Sequence, residues 1–88
     1  MFGGKGDLLT DQFLIECKTK TSKSESISIK KEWFTKNDQE KIFMGKKYSA
    51  VAFNFGPDED NYYIIDEYLF QTLKQLLEKY GEEIDLWN

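Results

Sequence analysis

Hydrophobic positions in this chain fall into four short runs and two longer stretches with helical spacing, separated by polar segments. After a Gly-rich loop at residues 2–6, Asp7 to Leu9 predict a short strand. Phe13 to Thr19 predict a stronger one, with Phe13, Ile15 and Cys17 on one face and Leu14, Glu16 and Lys18 on the other. Lys20 to Ser26 is polar and reads as a loop. Ile27 and Ile29 then lead into a helix from about Lys30 to Met44, with Trp33, Phe34, Ile42 and Phe43 as its buried anchors. The polar run Thr35 to Lys41 weakens that periodicity, and Asn37 or Asp38 offers a cap for a second, shorter helix.

Tyr48 to Phe55 is the clearest strand, nearly continuous in small and apolar residues, as a central strand covered on both faces would be. Gly56 to Asn61 supplies a turn, and Tyr62 to Asp66 returns as a further strand. A last helix runs from about Glu67 to Tyr80, with Tyr68, Leu69, Leu73, Leu76 and Leu77 at helical spacing and Gly81 as its stop. Residues 82–88 form an acidic tail carrying Trp87. This order predicts an α/β fold: a mixed central sheet of about four to five strands with two main helices, in one domain spanning residues 1–88.

At 88 residues the chain sits near the size where folding hides only roughly 60% of the surface of the unfolded form, so a partner surface would add stability. Hydrophobic residues at 40% and aromatics at 16% exceed what a disordered chain carries. No run approaches the roughly 20 apolar residues of a membrane-spanning helix, and the first residues lack the apolar stretch of a signal peptide. The expectation is a soluble, cytoplasmic protein with no membrane association.

Charge changes the picture because it is uneven. Residues 1–47 hold 10 of the 12 lysines and 7 of the 16 acids, leaving residues 48–88 strongly acidic. A bipolar molecule of net charge −4 still has one face to offer to phosphates. Lys5, Lys20, Lys23, Ser26, Lys30, Lys46 and Lys47, with Lys31, are candidates for contacts to a DNA backbone, although an ordinary solvated surface reads the same way. There is no Arg, so bidentate reading of bases is not expected.

The candidate chemistry lies in Asp7, Glu16 and Lys18. Two strands joined at Thr10-Asp11-Gln12 bring Asp7 beside Glu16, since antiparallel neighbours lie only about 5 Å apart. Glu16 and Lys18, two residues apart on a strand, point the same way. Taken singly, Asp7 also suits a turn-capping carboxylate, and Glu16 with Lys18 an exposed strand pair. With no His and one Cys, any metal here is a hard, oxygen-loving ion such as Mg²⁺ or Mn²⁺. Cys17 cannot form an internal disulfide and has no His to activate it, so it reads as a small buried hydrophobe. Gly3-Gly4-Lys5-Gly6 lacks the Ser or Thr of a phosphate-binding P-loop, and Asp58-Glu59-Asp60-Asn61 lacks the spacing of a calcium loop.

Lys5-Gly6-Asp7, then Glu16-Cys17-Lys18, a Ser/Thr/Lys loop, a helix and a buried strand resemble the PD-(D/E)XK nuclease fold. The likeness is to the small phage and archaeal Holliday-junction resolvases and covers roughly residues 3–80, with Gly6 in place of the leading Pro. The resemblance implies a restriction-endonuclease-like core in minimal form. It implies that Asp7, Glu16 and the backbone carbonyl of Cys17 hold Mg²⁺ or Mn²⁺, and that Lys18 orients the attacking water and helps deprotonate it. The implied activity is metal-dependent cleavage of DNA, especially branched recombination intermediates, by a homodimer or higher homo-oligomer.

Members of that family ordinarily carry a helix before the Gly-rich loop, whereas six residues precede Asp7 here. Two expectations follow: either another subunit covers that side of the sheet, or the exposed face docks a protein. The alternative to an endonuclease is therefore a non-catalytic module that keeps the nuclease fold and binds a protein partner.

Overall fold

A computed structural model describes residues 7–9 and 11–81. Six elements follow one another: β1 (Asp7–Leu9), β2 (Phe13–Lys18), α1 (Lys31–Phe43), β3 (Tyr48–Phe53), β4 (Tyr62–Ile64) and α2 (Glu67–Tyr80). The α/β class, the mixed sheet and the two helices are those the sequence predicts. The sheet runs in the order β1-β2-β3-β4, with β2 and β3 inside and β1 and β4 at its edges. β1 pairs antiparallel with β2, β2 parallel with β3, and β3 antiparallel with β4. A parallel pair needs a crossover, and α1 provides it.

β3 is central because its side chains are small enough to be covered on both faces: Ala50, Val51 and Ala52 are all buried. With Leu14, Cys17 and Leu69 they make up the buried apolar core of the described residues. Leu14, Glu16 and Lys18 share the sheet face that α1 crosses, and Ser49, Val51 and Phe53 lie beside them in register.

α1 corrects one expectation. Trp33 and Phe34 are partly buried, but Ile42 and Phe43, predicted as anchors, are 77% and 91% exposed. At about 100° per residue, the face turned to the sheet runs through Trp33, Asn37 and Lys41; Ile42 lies about 100° past it and Phe43 about 200°. The buried residue is polar. Asn37 is 3% exposed, and its Nδ2 donates to the Ala50 carbonyl at 3.1 Å. Ala50 has no partner on β4, which begins its pairing at Val51, so the amide satisfies a carbonyl beyond the ladder. Asn37 therefore caps no second helix; α1 is unbroken from Lys31 to Phe43.

α1 closes through Gly45 at φ +68°, with Lys46 N–H donating to Lys41 O and Gly45 N–H to Ile42 O. This is the Schellman arrangement, which satisfies the last helical carbonyls. It feeds β3 directly, since the N–H groups of Lys47 and Tyr48 both donate to Gln12 O.

α2 starts at Asp66, whose Oδ1 accepts from Leu69 N–H at 2.8 Å. Asp66 thus ends no strand but caps a helix. Leu69 is buried, while Tyr68, Phe70, Leu73, Leu76, Leu77 and Tyr80 remain exposed. Gly81 follows the helix in a right-handed conformation. Among the described residues no helix is long and apolar enough to cross a membrane. The Gly-rich loop with Lys5 and the acidic tail with Trp87 lie outside the described residues.

Candidate functional site

The hairpin register sets Asp7 directly opposite Glu16, with Leu8 opposite Ile15 and Leu9 opposite Leu14. On its other side Glu16 is in register with Val51 of β3, which is fully buried. A carboxylate between those neighbours is drawn out of water: the Glu16 side chain is 17% exposed, and its Oε2 has no hydrogen-bond partner among the described residues. Leaving such an oxygen unsatisfied costs about 1–3 kcal/mol, more when it is charged.

One cation stands near it. Lys18 Nζ lies 3.6 Å from Glu16 Oε2, inside ion-pair range but too long for a hydrogen bond. The same ammonium sits 5.0 Å from the centre of the Trp33 ring, a cation–π distance. Trp33 belongs to the first turn of α1, where its N–H donates to Lys30 O. Helix and strand together therefore hold Lys18 from two sides, with its head beside the acid.

Next to this trio a cleft of about 330 Å³ is lined by Lys18, Thr19, Lys20, Ile27, Ser28 and Trp33. It opens at the carboxyl end of β2 where the chain departs for α1. In α/β sheets ligands collect there, because the strand ends and helix starts leave backbone groups to satisfy.

The predicted basic contacts divide between the two ends of the sheet. Lys20, Lys23, Ser26 and Lys30 lie in the connection from β2 to α1, and of these Lys20 lines the cleft. Lys20 donates from Nζ to Ser24 Oγ at 3.2 Å and from its backbone to Asn54 Oδ1 at 3.4 Å. Lys23 Nζ is 3.6 Å from Glu59 Oε2 in an exposed pair, and Ser26 is tied to the Ser24 hydroxyl. Lys30 is the extended residue before α1. Lys46 and Lys47 sit instead at the opposite end of β2 and β3, against Asp11 and Gln12. A six-residue strand, about 17 Å long, separates them from Lys18. Lys5 lies outside the described residues.

Trp33 was expected as a core anchor, and its place under the Lys18 ammonium is not written in any motif. Cys17, on the opposite strand face, is a buried thiol in no disulfide, in keeping with its reading as a small hydrophobe.

The donor chemistry fits a hard divalent cation: a carboxylate oxygen buried without a hydrogen bond among the described residues, an acid at the register position opposite, and no imidazole in the chain. Among the described residues no three acid, cysteine or histidine side chains converge. Compared with models of protein families, with curated proteins and with solved structures, the chain finds no match in any of the three.

Proposed function

We propose that this chain is a minimal PD-(D/E)XK domain and acts as a Mg²⁺- or Mn²⁺-dependent endonuclease on DNA, with branched recombination intermediates as substrate and a homodimer or higher homo-oligomer as the working form. The observation that carries this reading is Glu16 Oε2, buried without a hydrogen bond among the described residues, its strand position in register with Asp7, and 3.6 Å from an ammonium. The order of elements supports it as well: an acid-bearing strand, a hairpin, an acid-x-lysine strand, a helix and a buried parallel strand.

In this reading Asp7, Glu16 and the carbonyl of Cys17 hold the metal. A bound divalent ion neutralises charge on the non-bridging phosphate oxygens and makes water a better nucleophile. The protein's own part is positional. Glu16 fixes one side of the site from a rigid strand, and its charge keeps the Lys18 ammonium near the place a water must occupy. Lys18 would donate a hydrogen bond to that water and orient it in line with the phosphorus, its positive charge favouring the hydroxide as the proton passes to bulk solvent. Trp33 limits the rotamers open to Lys18 and excludes bulk water from one side. Lys20, Lys23, Ser26 and Lys30 give phosphate contacts next to the cut, and Lys46 and Lys47 serve a more distant part of a long substrate.

A second reading is favoured by one observation, the exposed apolar side of α2 formed by Phe70, Leu73, Leu77 and Tyr80. A module that keeps the fold without catalysis would use such a surface to bind protein. Cleavage of a labelled four-way junction in Mg²⁺ separates the two. The endonuclease cuts and Lys18→Ala does not; the binding module is inert in every form, and light scattering with a partner shows a complex instead.

A further inference from the structure

We propose that the aromatic cluster beside the acid-lysine site, centred on Tyr62, is a stacking platform for an unpaired nucleobase of the substrate; this rests on the reading of DNA as that substrate. Register sets the geometry. Lys18 pairs with Phe53, and Phe53 pairs with Tyr62, so the three occupy one row across β2, β3 and β4. Adjacent strands are about 4.8 Å apart, which places Tyr62 about 10 Å from Lys18 on the same face. Phe53 and Tyr62 stack at 5.7 Å with their planes 28° apart, and Phe55 meets both edge-on at 5.6 and 5.8 Å.

A cluster of rings is ordinarily core, but this one stands at the sheet margin. β4 is the outer strand, and Tyr62 remains 49% exposed despite its two ring partners. A groove of about 640 Å³ lies along Phe53, Tyr62 and Phe70, with room for a base.

Charge assigns the occupant. The lysine-bearing loop is fastened to the aromatic strand end, since Ser24 N–H donates to Phe55 O at 2.8 Å and Lys20 N–H to Asn54 Oδ1. That loop brings Lys20 and Lys23 to the side of the rings on which Lys18 stands, with Lys23 3.6 Å from Glu59 and Lys18 3.6 Å from Glu16. On the other side the groove is bordered by Asp66 and Glu67, which repel phosphate, and by the amide of Gln71. A strand whose backbone follows the lysines would set its base, not its phosphate, against Tyr62. Basic residues along a backbone track with aromatic faces beside it are how single strands are held without sequence preference.

The test uses the full chain in EDTA, where no cleavage occurs, with an oligothymidine carrying one 2-aminopurine and an intact duplex for comparison. Wild type is expected to bind the single strand and quench the 2-aminopurine. Tyr62→Ala and Tyr62→Leu should each weaken that binding about tenfold, Tyr62→Phe should match wild type, and duplex affinity should be the same in all four. Circular dichroism checks that each variant is folded, and Tyr62→Leu keeps apolar bulk at the position. Single-strand binding and quenching unchanged in both Tyr62→Ala and Tyr62→Leu overturn the platform, as does equal weakening on duplex. Cleavage of a branched duplex in Mg²⁺ is measured alongside. Cutting with no effect of Tyr62 leaves the endonuclease and removes the platform; the expected Tyr62 effect without any cutting does the reverse; no binding to any DNA removes both.

Discussion

Lys18 Nζ and Glu16 Oε2 stand 3.6 Å apart on one strand face, and that carboxylate oxygen has no hydrogen-bond donor among the described residues. The pair is coulombic without being a hydrogen bond, so Glu16 is held in a costly state that a cation would relieve. Glu16→Gln keeps the volume and removes the charge. In metal-free buffer its thermal midpoint should equal that of wild type or exceed it by up to about 5 °C, since 1 kcal/mol moves a domain of this size by about 4–8 °C. Millimolar Mg²⁺ should raise the midpoint of wild type but not of the variant. A variant midpoint several degrees below wild type without metal would contradict this account of Glu16.

Asn37 should be the most sensitive position of α1. Asn37→Ala leaves the Ala50 carbonyl without its donor in a buried place, at a cost of about 1–3 kcal/mol. Denaturant unfolding reads this as a lower midpoint with an unchanged slope. A loss under about 0.5 kcal/mol would show that the amide bond is not needed.

Phe43→Ser gives the contrasting result. A ring 91% exposed has little burial to lose, and the change should stay within about 0.5 kcal/mol. A loss above about 2 kcal/mol would mean that Phe43 is covered in solution, as an oligomer would cover it.

Gly56 pins the lysine loop to the end of β3. Its φ is +145°, and a Cβ there would come within 2.7 Å of the Lys23 backbone. Gly56→Ala should cost about 1–3 kcal/mol and displace the Lys20–Ser24 segment, weakening DNA binding as well. Unchanged stability together with unchanged affinity would show that the loop does not need this close approach.

Much of the fold was legible because the strands and α2 carry period-specific patterns with clear punctuation. Asp7–Leu9 and Glu67–Tyr80 have the predicted bounds, and Phe13, Tyr48 and Tyr62 begin their strands as expected. The Glu16–Lys18 unit was legible from side-chain parity alone, and the opposition of Asp7 and Glu16 from the length of the turn. α1 was misread where its apolar residues do not share one face. Ile42 and Phe43 look like anchors by type, whereas helical phase sends them to solvent and buries Asn37. The grouping of lysines was illegible too, because which strand end a residue occupies depends on the parallel crossover.

The proposed function stands on Asp7, Glu16 and Lys18 acting together as a metal-dependent phosphodiesterase site. Cleavage of an end-labelled four-way junction in Mg²⁺ against EDTA, by wild type, Asp7→Asn and Lys18→Ala, tests it most directly. Wild type should cut in Mg²⁺ alone, and each variant should be slowed by about a hundredfold or more while unfolding within a few degrees of wild type. Wild type and variants equally inert on branched, linear and single-stranded DNA, or equally active, would contradict it.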